Sequence, residues 1–220
     1  MKKLFPLFLF VLFNSAGYSQ TMFSIFAGPQ VTGAKYSIKG VEQTTDYQTN
    51  GLMAGISLRM PIEEVVYFTP AVYYSKKGYK VNFNNISNPP DSAALNNNTS
   101  INSIEVAPLI QVAFSNRPTH AFIRFGPTID FNISGTERFE KTTGEIGNRN
   151  MTFSYDAYSF ATTAATIQLG FQTKSGFQIF GHYGHGLGSL NNIDEGPKIR
   201  HRIAGITLGW LFGNNNTALW

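Results

Sequence analysis

Two absences set the first limits on this sequence of 220 residues: it has no cysteine, and only 14% of its residues are charged. Without cysteine the chain has no disulfide framework, no thiolate site and no cysteine that could carry a lipid anchor. Soluble domains average about 25% charged residues. The deficit predicts that a large part of the surface faces something other than water.

Long apolar runs are also missing. No apolar segment approaches the roughly 20 residues that a membrane-spanning helix needs. A shorter run follows Lys2 and Lys3 and is succeeded by small residues before Gln20. This is the pattern of a secretory signal peptide, although a buried N-terminal helix is the alternative. We expect cleavage to remove residues 1–19 and to leave 20–220 as a single domain.

The sequence contains no motif that predicts binding of nucleic acids, metals or cofactors. Its formal net charge of +4 includes the two lysines of the signal peptide, so the mature chain is only weakly basic. No basic and aromatic surface, glycine-rich phosphate loop or zinc-ligand spacing is present. We therefore predict no nucleic-acid partner, no metal and no cofactor.

What the sequence does contain is alternation with a period of two. In the clearest runs, 51–60, 104–114 and 121–133, one face is bulky and apolar and the other is small or polar. Such alternation is typical of β-strands, and a small, polar face opposite a bulky one is the inverse of a soluble barrel. The predicted strands are 22–31, 51–60, 65–80, 101–114, 120–134, 158–173, 176–188 and 200–212.

The connectors between these strands are alternately long and short. The long ones are 32–50, 81–100 and 135–157, and each is followed by a strand that ends in a tight turn. Short periplasmic turns and long outer loops are typical of membrane barrels, whereas a soluble sandwich has no reason to follow this order. The sequence therefore predicts an all-β fold, an eight-stranded antiparallel up-and-down transmembrane β-barrel. Ten strands remain an alternative if the first or third long connector extends its flanking strands.

Aromatic residues cluster near the ends of the predicted strands, as expected for belts at the two membrane surfaces. Near the short turns lie Phe23, Tyr67, Phe68, Phe114, Phe122, Phe177, Trp210 and Phe212. Near the long loops lie Tyr73, Tyr74, Tyr79, Phe131, Tyr158 and Phe160.

Several segments resemble a known family. The segments 68–78, 104–109, 122–127 and 206–212 are similar in kind and order to those of the small bacterial outer-membrane β-barrel domain family, which is porin-like and includes OmpX- and PorT-like proteins. The resemblance implies a bacterial outer-membrane location, contact with outer-membrane lipid and with the barrel-assembly machinery, and a monomer. The barrel would close either at Phe212, which resembles an assembly signal, or at Trp220.

Four charged residues fall on the small and polar face: Arg59, Glu105, Arg124 and Asp130. The interior of an eight-stranded barrel is just wide enough for side chains to fill it, so buried charges there should pair with one another. We expect ion pairs among these four. A substrate or proton path is the alternative.

The segment around residues 182–189 is the best candidate for catalysis. His185 and Ser189 could form a nucleophile and base at the outer rim, as in a lipid-modifying enzyme. His182 and His185 are three positions apart, however, and so point to opposite faces of a strand. A strand-end histidine at the rim is the simpler interpretation, and we predict that the protein is not an enzyme.

The predicted function is that of a non-enzymatic barrel with a filled lumen. It would act through loops 32–50, 81–100 and 135–157, which could bind a surface ligand, in binding, adhesion or envelope structure. The alternatives are a small pore or a carrier of small apolar molecules, and an outer-membrane lipid-modifying enzyme. In the Asn-rich second loop, Asp91-Ser92-Ala93 resembles a bacterial O-glycosylation acceptor.

Overall fold

The computed structural model describes residues 21–87 and 90–213. The predicted signal peptide and Trp220 lie outside the described residues. The strands are β1 (Met22–Ile38), β2 (Val41–Glu42), β3 (Thr44–Asp46), β4 (Gln48–Glu63), β5 (Val66–Ser87), β6 (Ala94–Ala113), β7 (His120–Glu140), β8 (Ile146–Asn150), β9 (Ala161–Gln172), β10 (Phe177–Gly186) and β11 (Lys198–Phe212). Among the described residues, no helix is long and apolar enough to cross a membrane.

Eight of these strands form a closed antiparallel ring. Each of β1, β4, β5, β6, β7, β9, β10 and β11 pairs with the next, and β11 pairs with β1 to close the ring. The closing pair runs from Phe23, opposite Phe212, to Ser37, opposite Lys198. The predicted eight-stranded barrel is confirmed, and its last strand ends at Phe212. The short strands β2, β3 and β8 add to the outer ends of β1, β5 and β7 instead of enlarging the ring.

The two faces of the strands are arranged as the alternation predicts. Along β1, Ser24, Gln30 and Thr32 are buried inside the ring, whereas Phe23 and Ile25 are exposed on its outer wall. Most inward positions of β4, β6 and β7 are likewise small, polar or charged, although Met53, Leu109 and Phe122 form an apolar cluster there. Bulky apolar side chains therefore cover the outer wall, which in a membrane barrel faces lipid.

Much of the three predicted long loops is strand. β5 continues to Ser87 and β6 begins at Ala94, so most of 81–100 is a two-stranded hairpin. In the same way β7 reaches Glu140 and pairs with β8 within 135–157, and β1, β2 and β3 occupy much of 32–50. The prediction of loops was wrong here because strands beyond the membrane need no apolar outer face. Their asparagine and threonine side chains show no alternation, although the backbone ladder continues.

The aromatic belts are only partly as predicted. Phe23, Phe114, Trp210 and Phe212 lie exposed on the outer wall near the short turns, and Phe160 is exposed near the long-loop end. By contrast, four of the predicted belt residues are buried and belong to the interior of the ring: Tyr73, Tyr79, Phe122 and Tyr158. Tyr73, Tyr79 and Phe122 have inward parity on their strands, so the pleat sends them into the lumen, whereas Tyr158 lies in the segment between β8 and β9.

Candidate functional site

Two buried arginines lie on the periplasmic half of the lumen, the half nearest the short turns. Arg59 Nη1 donates to Gln172 Oε1 at 2.8 Å, and its guanidinium lies 3.8 Å from the centre of the Tyr67 ring. Arg124 Nε donates to Gln111 Oε1 at 2.7 Å, and its Nη2 donates to Gln178 Oε1 at 3.1 Å. Glutamine oxygens, rather than carboxylates, therefore accept the hydrogen bonds of both guanidinium groups.

A lysine lies between two carboxylates further towards the outer side. Lys77 Nζ is 2.9 Å from Glu105 Oε1 and 2.9 Å from Asp130 Oδ2, and its side chain is fully buried. Glu105 and Asp130 are directly opposed on β6 and β7, so they share one face of the ladder. Thr162 Oγ1 also donates to Asp130 Oδ2, at 3.2 Å. One cation thus lies between two neighbouring buried carboxyl groups.

The predicted ion pairs therefore have different partners in the structure. All four predicted residues are buried in the lumen, but Glu105 and Asp130 pair with Lys77, and Arg59 and Arg124 with glutamines. The sequence argument missed Lys77, although its signal was present. Lys77 has the same parity as the inward residues Tyr73 and Ser75, four and two positions earlier on β5.

Next to the carboxylates the lumen contains a cavity of about 20 Å³. Its lining includes Glu105, Asp130, His182 and His201. A volume of this size accepts about one water molecule. Buried ring nitrogens of both histidines have no hydrogen-bond partner among the described protein atoms, so the walls offer polar atoms to such a water.

The outer mouth of the ring is occupied by an apolar cluster, which we call the outer plug. It consists of Ala34, Tyr36, Tyr79, Val81, Ile101, Met151, Tyr158, Leu190 and Ile199. Met151 and Tyr158 come from the segment between β8 and β9, which folds over the ends of the barrel strands. The tyrosine rings pack on one another, with Tyr36 and Tyr79 6.0 Å apart.

A buried carboxylate holds the plug segment in place. Glu137 accepts hydrogen bonds from Asn97 Nδ2 at 2.7 Å, Tyr158 OH at 2.7 Å and Arg149 Nε at 2.6 Å. Arg149 Nη1 also donates to the Pro90 carbonyl oxygen at 2.8 Å, which connects β8 to the tip of the β5–β6 hairpin. Burial, followed by the negative charge of Glu137, raises the pKa of Tyr158 well above its ordinary value. The phenol therefore stays protonated and keeps donating.

The rim residues His185 and Ser189 do not meet in a catalytic arrangement. Ser189 Oγ accepts hydrogen bonds from the backbone nitrogens of Asn191 and Ile199, both at 3.2 Å. His185 lies on the outer wall and stacks on Tyr183, with ring centres 6.5 Å apart. His182 faces the lumen, as its parity predicts. Among the described residues, no group of three or more His, Asp or Glu side chains is arranged to hold a metal ion.

Comparison with known proteins gives one family match and several distant structural similarities. Residues 14–195 match the family described as the outer membrane protein beta-barrel domain. No curated protein matches the sequence. Among solved structures, Ail, the attachment invasion locus protein of Yersinia pestis, is 12% identical with a TM-score of 0.42, covering 87% of this chain and 99% of that chain.

Two further solved structures are similar at the same level. Neisserial surface protein A is 13% identical with a TM-score of 0.44, covering 86% of this chain and 97% of that one. The N-terminal β-barrel domain of Pseudomonas aeruginosa OprF is 13% identical with a TM-score of 0.33, covering 88% and 99%. The family match spans most of the sequence and agrees with the closed ring and its apolar outer wall. The chain therefore belongs to the outer membrane protein beta-barrel domain family, and it is a protein of the bacterial outer membrane.

Proposed function

We propose that the protein is a non-enzymatic barrel whose lumen is filled by side chains and which acts through its extracellular part by binding a surface ligand. The observation that carries the proposal is the stacking of the buried Lys77–Glu105–Asp130 cluster beneath the outer plug. An ion layer below an apolar layer supports a lumen with no continuous aqueous path along its axis. With the lumen filled, the extracellular surface is the part of the protein that we expect to bind a ligand.

The dimensions of the lumen support this view. An eight-stranded ring encloses a space that side chains just fill. The cavity beside His182 and His201, about 20 Å³, is large enough for about one water and too small for a carried apolar molecule. The hydrogen-bonded arginines and glutamines of the periplasmic half are buried in the same lumen, which supports the same view.

The absence of an enzymatic role is supported by how the rim residues are used. The Ser189 hydroxyl accepts two backbone hydrogen bonds at a turn, and the His185 ring stacks on Tyr183. A nucleophile needs its base within hydrogen-bond reach, at about 3 Å. The hydrogen bonds of Ser189 are to backbone nitrogens and not to a histidine base. Its arrangement therefore favours a structural role.

The extracellular part offers a polar groove in which a ligand could lie. The groove has a volume of about 290 Å³ and lies between the outer ends of β3, β5, β6, β7 and β8. Asparagines 82, 96, 97 and 98 line it, together with Lys80, Arg138 and Glu140. Amide and charged groups supply both donors and acceptors. This chemistry suits a hydroxyl-rich polymer, and we assign the groove to a surface polysaccharide.

The filled lumen is tested by conductance in planar bilayers. The wild-type barrel should give no stable channel, and Arg124→Ala should lower the stability to unfolding without creating one, because the layers above it remain in place. Barrel folding is checked by heat-modifiable migration. Stable single-channel steps in either protein would refute the filled lumen.

The extracellular site is tested on a glycan array with the barrel held in nanodiscs. Asn82→Trp should fill the groove and abolish the wild-type binding. The matched control Asn50→Trp changes an exposed asparagine that does not line the groove and should bind normally. Binding that survives Asn82→Trp, or no glycan bound by the wild type, would contradict the assignment.

A further inference from the structure

One sector of the outer wall changes abruptly from apolar to basic at a definite height. The pair β1–β11 begins with Phe23 opposite Phe212 and reaches Gly33 opposite Arg202 ten residues later. That distance is about 33 Å along the strand, or about 25 Å along the membrane normal at a tilt of roughly 40°. The apolar band of an outer-membrane barrel is about 25 Å tall. Arg202 therefore lies where the hydrocarbon of the outer leaflet ends.

Three cationic side chains and one histidine surround this point on the same outward face. Lys35 is directly opposite Arg200, and Arg202 is directly opposite His185 on the other neighbouring strand. Opposed cationic side chains on a ladder repel one another. The backbone register nevertheless holds them together, so the cluster needs an anion to balance its charge.

The protein itself supplies few acidic side chains to this cluster. Lys35 forms a salt bridge with Glu42. In the part of the chain that the structure describes, Arg200 and Arg202 form no salt bridge, and the buried Nε of Arg202 has no hydrogen-bond partner. Glu195 lies higher, in a groove that it shares with Lys39 and Lys198. Arg200 is exposed and Arg202 is half-buried, so their other guanidinium nitrogens can reach an anion from outside the protein.

Aromatic and apolar groups frame the cluster. The Tyr47 ring covers Gly33, the residue opposite Arg202, and Tyr183 stacks on His185 at the other side. Below them the exposed Val31 continues the lipid-facing surface. Tyrosine rings and cations next to an apolar wall are typical of a surface that meets lipid headgroups.

The other side of the barrel is different at the same boundary. On β5, β6 and β7 the outward groups are neutral and satisfy one another. Tyr74 OH donates to Asn102 Oδ1 at 2.6 Å, and Asn102 Nδ2 donates to Ser134 Oγ at 3.0 Å. Lys76, directly opposite Asn102 in the ladder, is the one cation at this height among the described residues of these strands, and Lys80 and Arg138 lie further out. The basic cluster is therefore a feature of one sector and not of the whole circumference.

We propose that Arg200 and Arg202, assisted by Lys35, bind the phosphate of a phosphorylated glycolipid of the outer leaflet. Guanidinium groups match phosphate oxygens with paired, charge-assisted hydrogen bonds. The lipid's acyl chains lie on the apolar wall beneath, so one molecule satisfies both the cations and the lipid-facing surface. A soluble anion would satisfy only the cations.

The experiment measures lipid bound to the folded barrel in neutral detergent by native mass spectrometry, with bisphosphorylated lipid A as the probe. Arg200→Gln with Arg202→Gln should weaken binding about tenfold or more, because two charge-assisted contacts are lost. The matched control Lys76→Gln, on the opposite sector, should change binding less than about twofold. Dephosphorylated lipid A should bind the wild type as weakly as lipid A binds the double variant.

Each other outcome overturns the proposal. Equal binding of the wild type and the double variant would show that the arginines do not hold the lipid. Equal binding of the phosphorylated and dephosphorylated lipids would remove the phosphate from the interaction. Displacement of lipid A by millimolar inorganic phosphate would assign the site to a soluble anion. Heat-modifiable migration verifies folding, and Arg202→Lys, which keeps the charge, should retain most of the binding if the double variant fails to fold.

Discussion

Lys77 provides the sharpest test of how the lumen is held together. It is the shared partner of two buried carboxylates, with both Nζ–oxygen distances at 2.9 Å and with 0% of its side chain exposed. Lys77→Met keeps much of the side-chain length but removes the charge. Glu105 and Asp130 would then face each other across the ladder with no cation between them.

The expected loss in the free energy of unfolding is large. Removing one member of a buried ion pair typically costs about 3–5 kcal/mol, because the remaining charge is left desolvated and unpaired. Here two carboxylates are left, and their mutual repulsion adds to the cost, so we expect a loss at the upper end of that range. Reversible urea unfolding of the barrel in lipid vesicles measures it.

Two companion variants separate charge from packing. Lys76→Met, at the neighbouring outward position, should change the free energy of unfolding by less than about 0.5 kcal/mol. Lys77→Met combined with Glu105→Gln and Asp130→Asn removes all three charges and should recover most of the loss, because neutral groups are cheap to bury by comparison. A loss below about 1 kcal/mol for Lys77→Met, or a triple variant no more stable than the single one, would refute the reasoning.

Two further predictions concern barrel closure and the outer plug. A β-carbon at Gly28 would overlap the backbone of Ile206 on the closing strand, so Gly28→Ala should cost about 2 kcal/mol in urea unfolding, and an unchanged midpoint would contradict it. Tyr158 has a pKa raised above 10.0 in the folded protein, so plug stability should be constant below pH 10 and fall as pH rises further, since the unfolded phenol ionises first. Tyr158→Phe should lose about 2 kcal/mol through the missing hydrogen bond to Glu137. Its alkaline fall, read by hydrogen exchange of residues 151–160, should be smaller than in the wild type, and a fall of unchanged size would exclude Tyr158.

The fold could be read from the sequence to the extent that lipid imposes a pattern. Within the membrane every outward residue must be apolar, so the alternation in 51–60, 104–114 and 121–133 reports each strand and its faces directly. Beyond the membrane that constraint ends. The backbone ladder continues through Asn96, Asn97 and Asn98, but the side chains there carry no apolar alternation that would reveal a strand.

The sequence could predict which residues face the lumen, but not which of them contact one another. Parity places Glu105 and Asp130 inside, and it also places Lys77 inside once the alternation is followed to the end of β5. Which side chains meet depends on the stagger between strands. The stagger brings Lys77 to Glu105, 28 residues away in the sequence, and Arg124 to Gln178, 54 residues away. Register of this kind is set by the closure of the whole ring.

The sequence by itself determined the architecture, because a bilayer allows spanning strands only as a closed ring with an apolar exterior, and that demand is written in every second residue. The tertiary structure alone decided the chemistry of the interior and the boundary. Ring closure and stagger bring distant strands together, and so they set Lys77 between its two carboxylates, fold Tyr158 over the mouth and place Arg200 and Arg202 side by side with Lys35 at the edge of the lipid.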